Sequence, residues 1–474
     1  MQPTKALELT GENYTQLMHA VVARVVDFIE HINTHPIDLT HEADPVFLRG
    51  MIEPAPETGT AFAGLLDFIF DKASKESLNP TSPGFLGYVP GGGLLHAGMA
   101  DVISNALNRY VGVAAVAPAF VQMEANVIRW FCDIIGYPST ARGFLTSGGS
   151  MASLSALITA RHVNLGEDFL GGVIYVSDQV HHCVNKAALL AGFPRANIRA
   201  LPCDANYRLD PARVKATIDA DRARGLTPFM LVGSAGTTNT GAVDPLQALH
   251  KLAKQEGLWF HVDGAYGGFF CMTARGRQKL AGIEKADSVV LDPHKTLFLP
   301  YGTGALLVHE GKHLKSTHSS VGDYMPPMQD DDAFVDFCEL SPELTRPFRG
   351  LRVWLPIKMH GLATFRAYLD EKLDLAQWIE SKINAMPALE VVAPAELSIL
   401  GFTVTARGKS LDERNAQSRQ VLTYINKKNR IHLTATTAKG VYIIRIAISV
   451  FRTHRDRMEM LVEDLEEALE VLGF

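Results

Sequence analysis

From about residue 100, short apolar runs alternate with stretches of helical periodicity, and few architectures accommodate that alternation. The runs cover residues 143–147, 172–177, 229–234, 258–263, 288–292 and 304–309. Each has the length of a strand and is apolar through most of it, as a strand buried on both faces must be. With helices between several of them, they predict an α/β fold: a mostly parallel sheet covered on both sides. Ligands of such sheets bind beyond the carboxyl ends of the strands. The residues that follow each run are therefore where chemistry is expected.

The chain of 474 residues is too long for one small core, so two or three domains are expected. Residues 1–85 read as a helical arm. Leu17, Val21, Val22, Val25, Val26, Ile29 and Ile32 recur at helical spacing before Pro36, and a second amphipathic helix is expected over 60–75. The arm carries more apolar surface than it can bury against itself, so it is expected to pack on another body such as a partner subunit. Residues 86–348 hold the alternating pattern. The polar, irregular stretch 310–345 within them reads as a functional loop. Residues 349–474 predict a small α+β domain: a long helix over 354–386, strands at 389–393 and 397–405, a helix over 411–427, strands at 431–436 and 441–448, and a terminal helix.

A content of 47% hydrophobic and 20% charged residues is that of an ordinary globular protein. The net charge of −6 argues against nucleic acid or an anionic membrane as the partner. Five scattered cysteines with no CxxC pair read as buried small residues rather than disulfides or metal ligands, and they fit a reducing compartment. No metal site is expected. The first residues lack an apolar secretory core and no run of ~18 apolar residues exists, so a cytoplasmic protein is expected.

The run at 288–292 leads into Asp292-Pro293-His294-Lys295. A lysine just past a strand end, beside a histidine, can be partly desolvated and present the neutral amine that makes a Schiff base. The run at 258–263 ends in Asp263, followed by Gly264 and Ala265. A strand-end aspartate and a Schiff-base lysine are the pair that pyridoxal phosphate (PLP) requires, the first to keep the ring nitrogen protonated and the second to hold the aldehyde. Ser147-Gly148-Gly149-Ser150 ends another run and opens a helix, whose N–H groups and serine hydroxyls can bind phosphate. His181 follows the run at 172–177 and can stack on a flat ring. Thr237 and Thr238 lie in a hydroxyl-rich turn after 229–234. Each feature alone has an ordinary reading as a capped turn, a structural histidine, a polar loop or a solvated lysine. Their order along one α/β domain ties them together.

At these residues the chain resembles the group II PLP-dependent amino-acid decarboxylases, from about residue 10 to its end. That family includes aromatic-L-amino-acid, histidine, glutamate and diaminobutyrate decarboxylases. Phe85-Leu86-Gly87-Tyr88-Val89-Pro90 resembles its aromatic substrate-side turn, Ala117-Pro118-Ala119 with Glu124 the segment ahead of its phosphate loop, and Arg349-Gly350-Leu351-Arg352-Val353-Trp354 the opening of its C-terminal domain. The resemblance implies the PLP-dependent transferase fold of type I, with a seven-stranded, mostly parallel sheet, a small C-terminal domain, and an N-terminal arm that embraces the partner in a homodimer. It implies Lys295 as the Schiff-base lysine, His294 near the phosphate, Asp263 at the pyridine nitrogen, Ala265 against the ring and His181 stacked on it. It further implies Gly149 and Ser150, with Thr237 or Thr238, at the phosphate side, and Tyr324 as a loop proton donor. The activity implied is decarboxylation of an L-amino acid to its amine and CO2 through an external aldimine.

Two departures bear on the substrate. The best-known aromatic-amino-acid decarboxylases carry Asn-Pro-His-Lys-Trp, whereas this chain has Asp292 and Thr296 at the outer positions. Phe85, Tyr88 and Phe120 suggest an apolar or aromatic substrate pocket, which favours tyrosine, DOPA or tryptophan over glutamate, aspartate, diaminobutyrate or histidine. Related aldehyde synthases carry phenylalanine at the loop position, so a tyrosine at 324 favours simple decarboxylation. An aminotransferase or desulfurase of the same fold is the more distant alternative.

Overall fold

A computed structural model describes residues 7–37, 44–320, 326, 328, 334–405 and 408–474. Its large sheet is built from β1 (Arg142–Thr146), β2 (Gly172–Ser177), β3 (Ile198–Leu201), β4 (Thr227–Ser234), β5 (Trp259–Asp263), β6 (Ser288–Leu291) and β7 (Gly304–Val308), in the order β1-β7-β6-β5-β4-β2-β3. From β3 across to β6 every pairing is parallel, and β7 alone runs antiparallel, between β6 and β1. The fold is thus the mostly parallel α/β sheet that the alternation predicted. Every residue of β2, β6 and β7 is buried. Successive side chains of a strand point to opposite faces. Val289 and Leu291 accordingly enter one apolar core and Val290 the other, as Val173 and Tyr175 divide from Ile174 and Val176.

The seventh strand, β3, escaped the pattern. It is only four residues long, lies at the sheet edge, and carries Arg199, which is held by Asp221. A short edge strand with a charge on it leaves no apolar run to read.

The helix Gly149–Leu165 covers one face with Ala152, Ala156 and Ala160, small enough for close approach to the sheet. The helix Pro118–Ile135 sends Val127 and Phe131 into the core on the other face. The helix expected from 354 begins at Arg349, runs to Asn384, and is broken at Gly361, whose φ of 73° is not helical. It leads to a second, fully antiparallel sheet of β8 (Leu389–Ala393), β9 (Ile399–Val404), β10 (Thr434–Ala438) and β11 (Val441–Ala447), in the order β10-β11-β9-β8. The helices Leu411–Lys427 and Arg455–Leu472 close its core.

The first helix, Gly11–Glu30, is capped by the Thr10 hydroxyl and buries none of its residues. The helix expected over 60–75 divides into a short α-helix, Phe62–Asp67, a wider π turn, Phe68–Lys72, and a 3-10 turn, Ala73–Glu76. Among the described residues, no helix is long and apolar enough to cross a membrane.

Candidate active site

Strand register levels the chemistry. Ser234 of β4 lies opposite Asp263 of β5, and Asp263 lies opposite Val290 of β6. The residues leaving these three strands therefore emerge at one edge of the sheet. There a cavity of about 310 Å³ is lined by Lys295, His294 and Asp292, by Asp263 and Ala265, by His181, by Gly149 and Ser150, and by Thr237 and Thr238.

After β6 the chain turns into one short helix, Pro293–Thr296, with proline at its first position, where no N–H is missed. That turn carries Lys295 into the cavity. The lysine, expected to be partly desolvated beside a histidine, also has a carboxylate against it: its Nζ lies 3.3 Å from Asp292 Oδ2, and Asp292 is almost wholly buried. Residues three apart on a helical turn share a face, which is why the pair forms. His294 Nδ1 donates to the Thr303 carbonyl at 2.7 Å, fixing the tautomer and leaving Nε2 without its proton when the ring is neutral. Thr296, which stands in place of the expected tryptophan, is buried and donates its hydroxyl proton to the Tyr266 carbonyl at 2.9 Å. It ties the lysine turn to the turn that follows Asp263.

Asp263 accepts the Ala265 N–H at 3.1 Å, which orients one carboxylate oxygen. His181 sits at the N-terminus of the helix His182–Leu190, where its Nδ1 accepts the Cys183 N–H at 3.3 Å. Burial lowers its pKa; the nearby Asp263 carboxylate pulls upward and Lys295 adds to the lowering. His181 is therefore a neutral, flat group at neutral pH, with its proton on Nε2.

At the opposite wall, Gly148 has a φ of 156° and passes the chain into the helix Gly149–Leu165. A side chain at Gly149 would place its Cβ 2.9 Å from Asp292 Oδ2, so only glycine lets the loop lie this low over the lysine turn. The first N–H groups of that helix have no intrahelical acceptor and carry the positive end of its dipole, as an anion site needs. Thr237 is buried and shares a hydrogen bond with Thr240 at 2.8 Å.

Arg445 stands in no motif that singles it out. It reaches from β11, in the other sheet, and donates to the carbonyls of Thr238 at 2.5 Å and Asn239 at 2.8 Å. Burial pushes its pKa down to about 10. A residue so far along the chain, in an ordinary strand, acquires its place only through the packing of the two sheets.

None of the three expected substrate aromatics lines the cavity within the chain. Phe85 is buried and stacks on His432 at 4.8 Å; Phe120 packs edge-on against Phe348 at 5.3 Å; Tyr88 is 58% exposed. Tyr324 lies outside the described residues.

An amine, a strand-end carboxylate, a neutral imidazole and a glycine-bounded helix terminus around one small cavity match the four needs of PLP: aldehyde, ring nitrogen, ring face and phosphate. Comparison with known proteins agrees. Residues 76–405 match the pyridoxal-dependent decarboxylase conserved domain. The chain is 32% identical to an aromatic-L-amino-acid decarboxylase of Bacillus atrophaeus over 98% of its own length and 97% of that protein's. It is 30% identical to tyrosine decarboxylase 4 of Petroselinum crispum, over 93% of this chain and 90% of that one. Among solved structures, Catharanthus roseus tryptophan decarboxylase in complex with L-tryptophan superposes with a TM-score of 0.90 at 26% identity, covering 99% of this chain and 100% of that one. The chain belongs to the pyridoxal-dependent decarboxylase family and is a PLP-dependent amino-acid carboxy-lyase.

Proposed function

We propose that the substrate is an aromatic L-amino acid, released as its amine and CO2. The observation that carries the choice of substrate is the 32% identity, along nearly the whole chain, to an aromatic-L-amino-acid decarboxylase. When bound, PLP supplies the electron sink into which the bond from Cα to the carboxylate can break. The chain's own residues do the rest. Lys295 would hold the aldehyde. Asp263 would keep a proton on the ring nitrogen. His181, neutral and flat, would pack on the ring, and Ala265 would lie against it. The N–H groups and hydroxyl at Gly149 and Ser150, a hydroxyl of Thr237 or Thr238, and His294 would hold the phosphate. Tyr324 returns a proton to Cα once CO2 has left.

Tyr88, Phe85 and Phe120 are the proposed contacts for the substrate side chain, with Phe85 stacked on Tyr88 at 6.3 Å. Exposed Tyr88, and exposed apolar residues along the helices Gly11–Glu30 and Leu95–Leu107, support a homodimer in which the arm of residues 1–85 clasps the partner. The arm, a cofactor-binding body of 86–348 and a small domain of 349–474 are its proposed units. Five unpaired cysteines support a cytoplasmic location.

The test is kcat/KM across the L-amino acids plus L-DOPA, 5-hydroxytryptophan and diaminobutyrate. Preference for an aromatic member supports the proposal; preference for glutamate, aspartate, histidine or diaminobutyrate rejects it. Stoichiometric aldehyde, ammonia and peroxide in place of amine would reject simple decarboxylation. Asp263→Ala is expected to lose most activity and to weaken PLP; near-normal turnover would remove its assigned role.

A further inference from the structure

Asp292 is a charged wall of the cavity that the roles above leave unused. Its main chain is pinned on both sides: the N–H donates to the Ala265 carbonyl at 3.2 Å, and the carbonyl accepts the Lys295 N–H at 2.8 Å. The carboxylate is thereby fixed at the strand end, with Oδ2 3.3 Å from Lys295 Nζ and 3.7 Å from His294 Nε2. Oδ1 is buried and has no hydrogen-bond partner among the described residues. A buried carboxylate in this state is costly unless a cation sits beside it.

We propose that Asp292 is the positioning residue that receives Lys295 each time the amino acid displaces it from PLP. The inference rests on the decarboxylase reading. In the exchange, the C=N bond from PLP to Lys295 breaks and one to the amino acid's nitrogen forms. The amino acid enters as an ammonium and the lysine leaves as an ammonium. Two protons pass from the incoming nitrogen to the departing one, with no net gain or loss. The departing ammonium needs a counter-charge in a site where the Lys295 side chain is only 20% exposed. Asp292, 3.3 Å from the free amine, supplies it to the released lysine, while Asp263 is committed to the ring nitrogen. The carboxylate thus tilts the exchange toward the substrate-bound form.

Asp292→Asn keeps the shape and removes the charge. In the holoenzyme, the absorbance of bound PLP is followed while L-phenylalanine methyl ester is added. The ester has the amine to exchange but no free carboxylate to lose, so exchange is read without turnover. L-leucine methyl ester serves as a second, non-aromatic probe. The expected result is an apparent dissociation constant raised about 10-fold for both esters, partial recovery in Asp292→Glu, and unchanged retention of PLP through gel filtration. Equal ester titrations in the two proteins would overturn the proposal, as would loss of PLP in parallel, which would make Asp292 only part of the pocket wall. If neither ester exchanges in the unmutated protein although an aromatic L-amino acid is turned over, release of Lys295 by an incoming amine does not rest on Asp292 and the proposal falls; absence of turnover as well would remove the decarboxylase reading beneath it.

Discussion

The seven-stranded sheet and the first helix treat their apolar residues in opposite ways. Every residue of β2, β6 and β7 is buried. The helix Gly11–Glu30 carries Val22 and Val26 at 50% and 44% exposure and buries nothing. Both segments are rich in valine, so composition does not separate them. The sheet finds its covering layers within the same chain, in helices such as Gly149–Leu165 and Pro118–Ile135. Among the described residues the helix finds no layer that buries it, and its apolar stripe stays exposed. Chemistry sits with the first region, where a rigid floor holds charged groups at fixed separations.

The sharpest break of that contrast is at the floor itself. Lys295→Ala is expected to lower turnover by about 10⁴-fold or more and to abolish the PLP absorbance band, with circular dichroism unchanged. A retained band would move the aldehyde to another amine.

Next in size is the frame beneath the site. Glu124 and Arg346 form an ion pair at 2.6 Å with neither side chain exposed, and Glu124 also accepts the Gly350 N–H at 3.2 Å. Glu124→Gln leaves the buried Arg346 guanidinium with only Glu343, 3.8 Å from its Nε, as a counter-charge and is expected to destabilise the fold by about 3–5 kcal/mol in urea titration. A change below about 1 kcal/mol would show that the frame is not built on this pair.

A pH test probes the same region. His261, in the middle of β5, is held neutral by burial, with its pKa pushed down to about 4 from an ordinary 6.5. Between those values the unfolded chain takes up a proton that the folded chain refuses. Stability is therefore full above about pH 6.5 and falls by about 3 kcal/mol as pH drops toward 4. Urea midpoints across that range, compared with His261→Asn, check it; equal slopes in both proteins would count against the assignment.

The smallest effect on the single chain is expected in the arm. Val22→Asp with Val26→Asp should change folding stability by about 0.5 kcal/mol or less, while converting the proposed dimer to a monomer in sedimentation. A melting temperature that falls steeply, with the assembly intact, would reverse the contrast between the two regions.

Legibility followed burial. Strands covered on both faces left unbroken apolar runs, so six of the sheet's strands lie within two residues of their expected ends. The edge strand with Arg199 left no such run. Strand-end chemistry was readable because a parallel sheet delivers Asp263, Lys295 and His181 to one edge whatever the details. The ion pair at Asp292 was not readable, because it depends on the pitch of a single turn. Nor was the reach of Arg445, which depends on how two sheets pack. The break of the expected 60–75 helix has no signal in its residues that we can name.

The most direct test of the whole account is to measure CO2 and amine together from the PLP-loaded protein supplied with aromatic L-amino acids. The account predicts equal amounts of the two from at least one of them, and neither from Lys295→Ala. Absence of CO2 from every amino acid, with the PLP band intact, would contradict it.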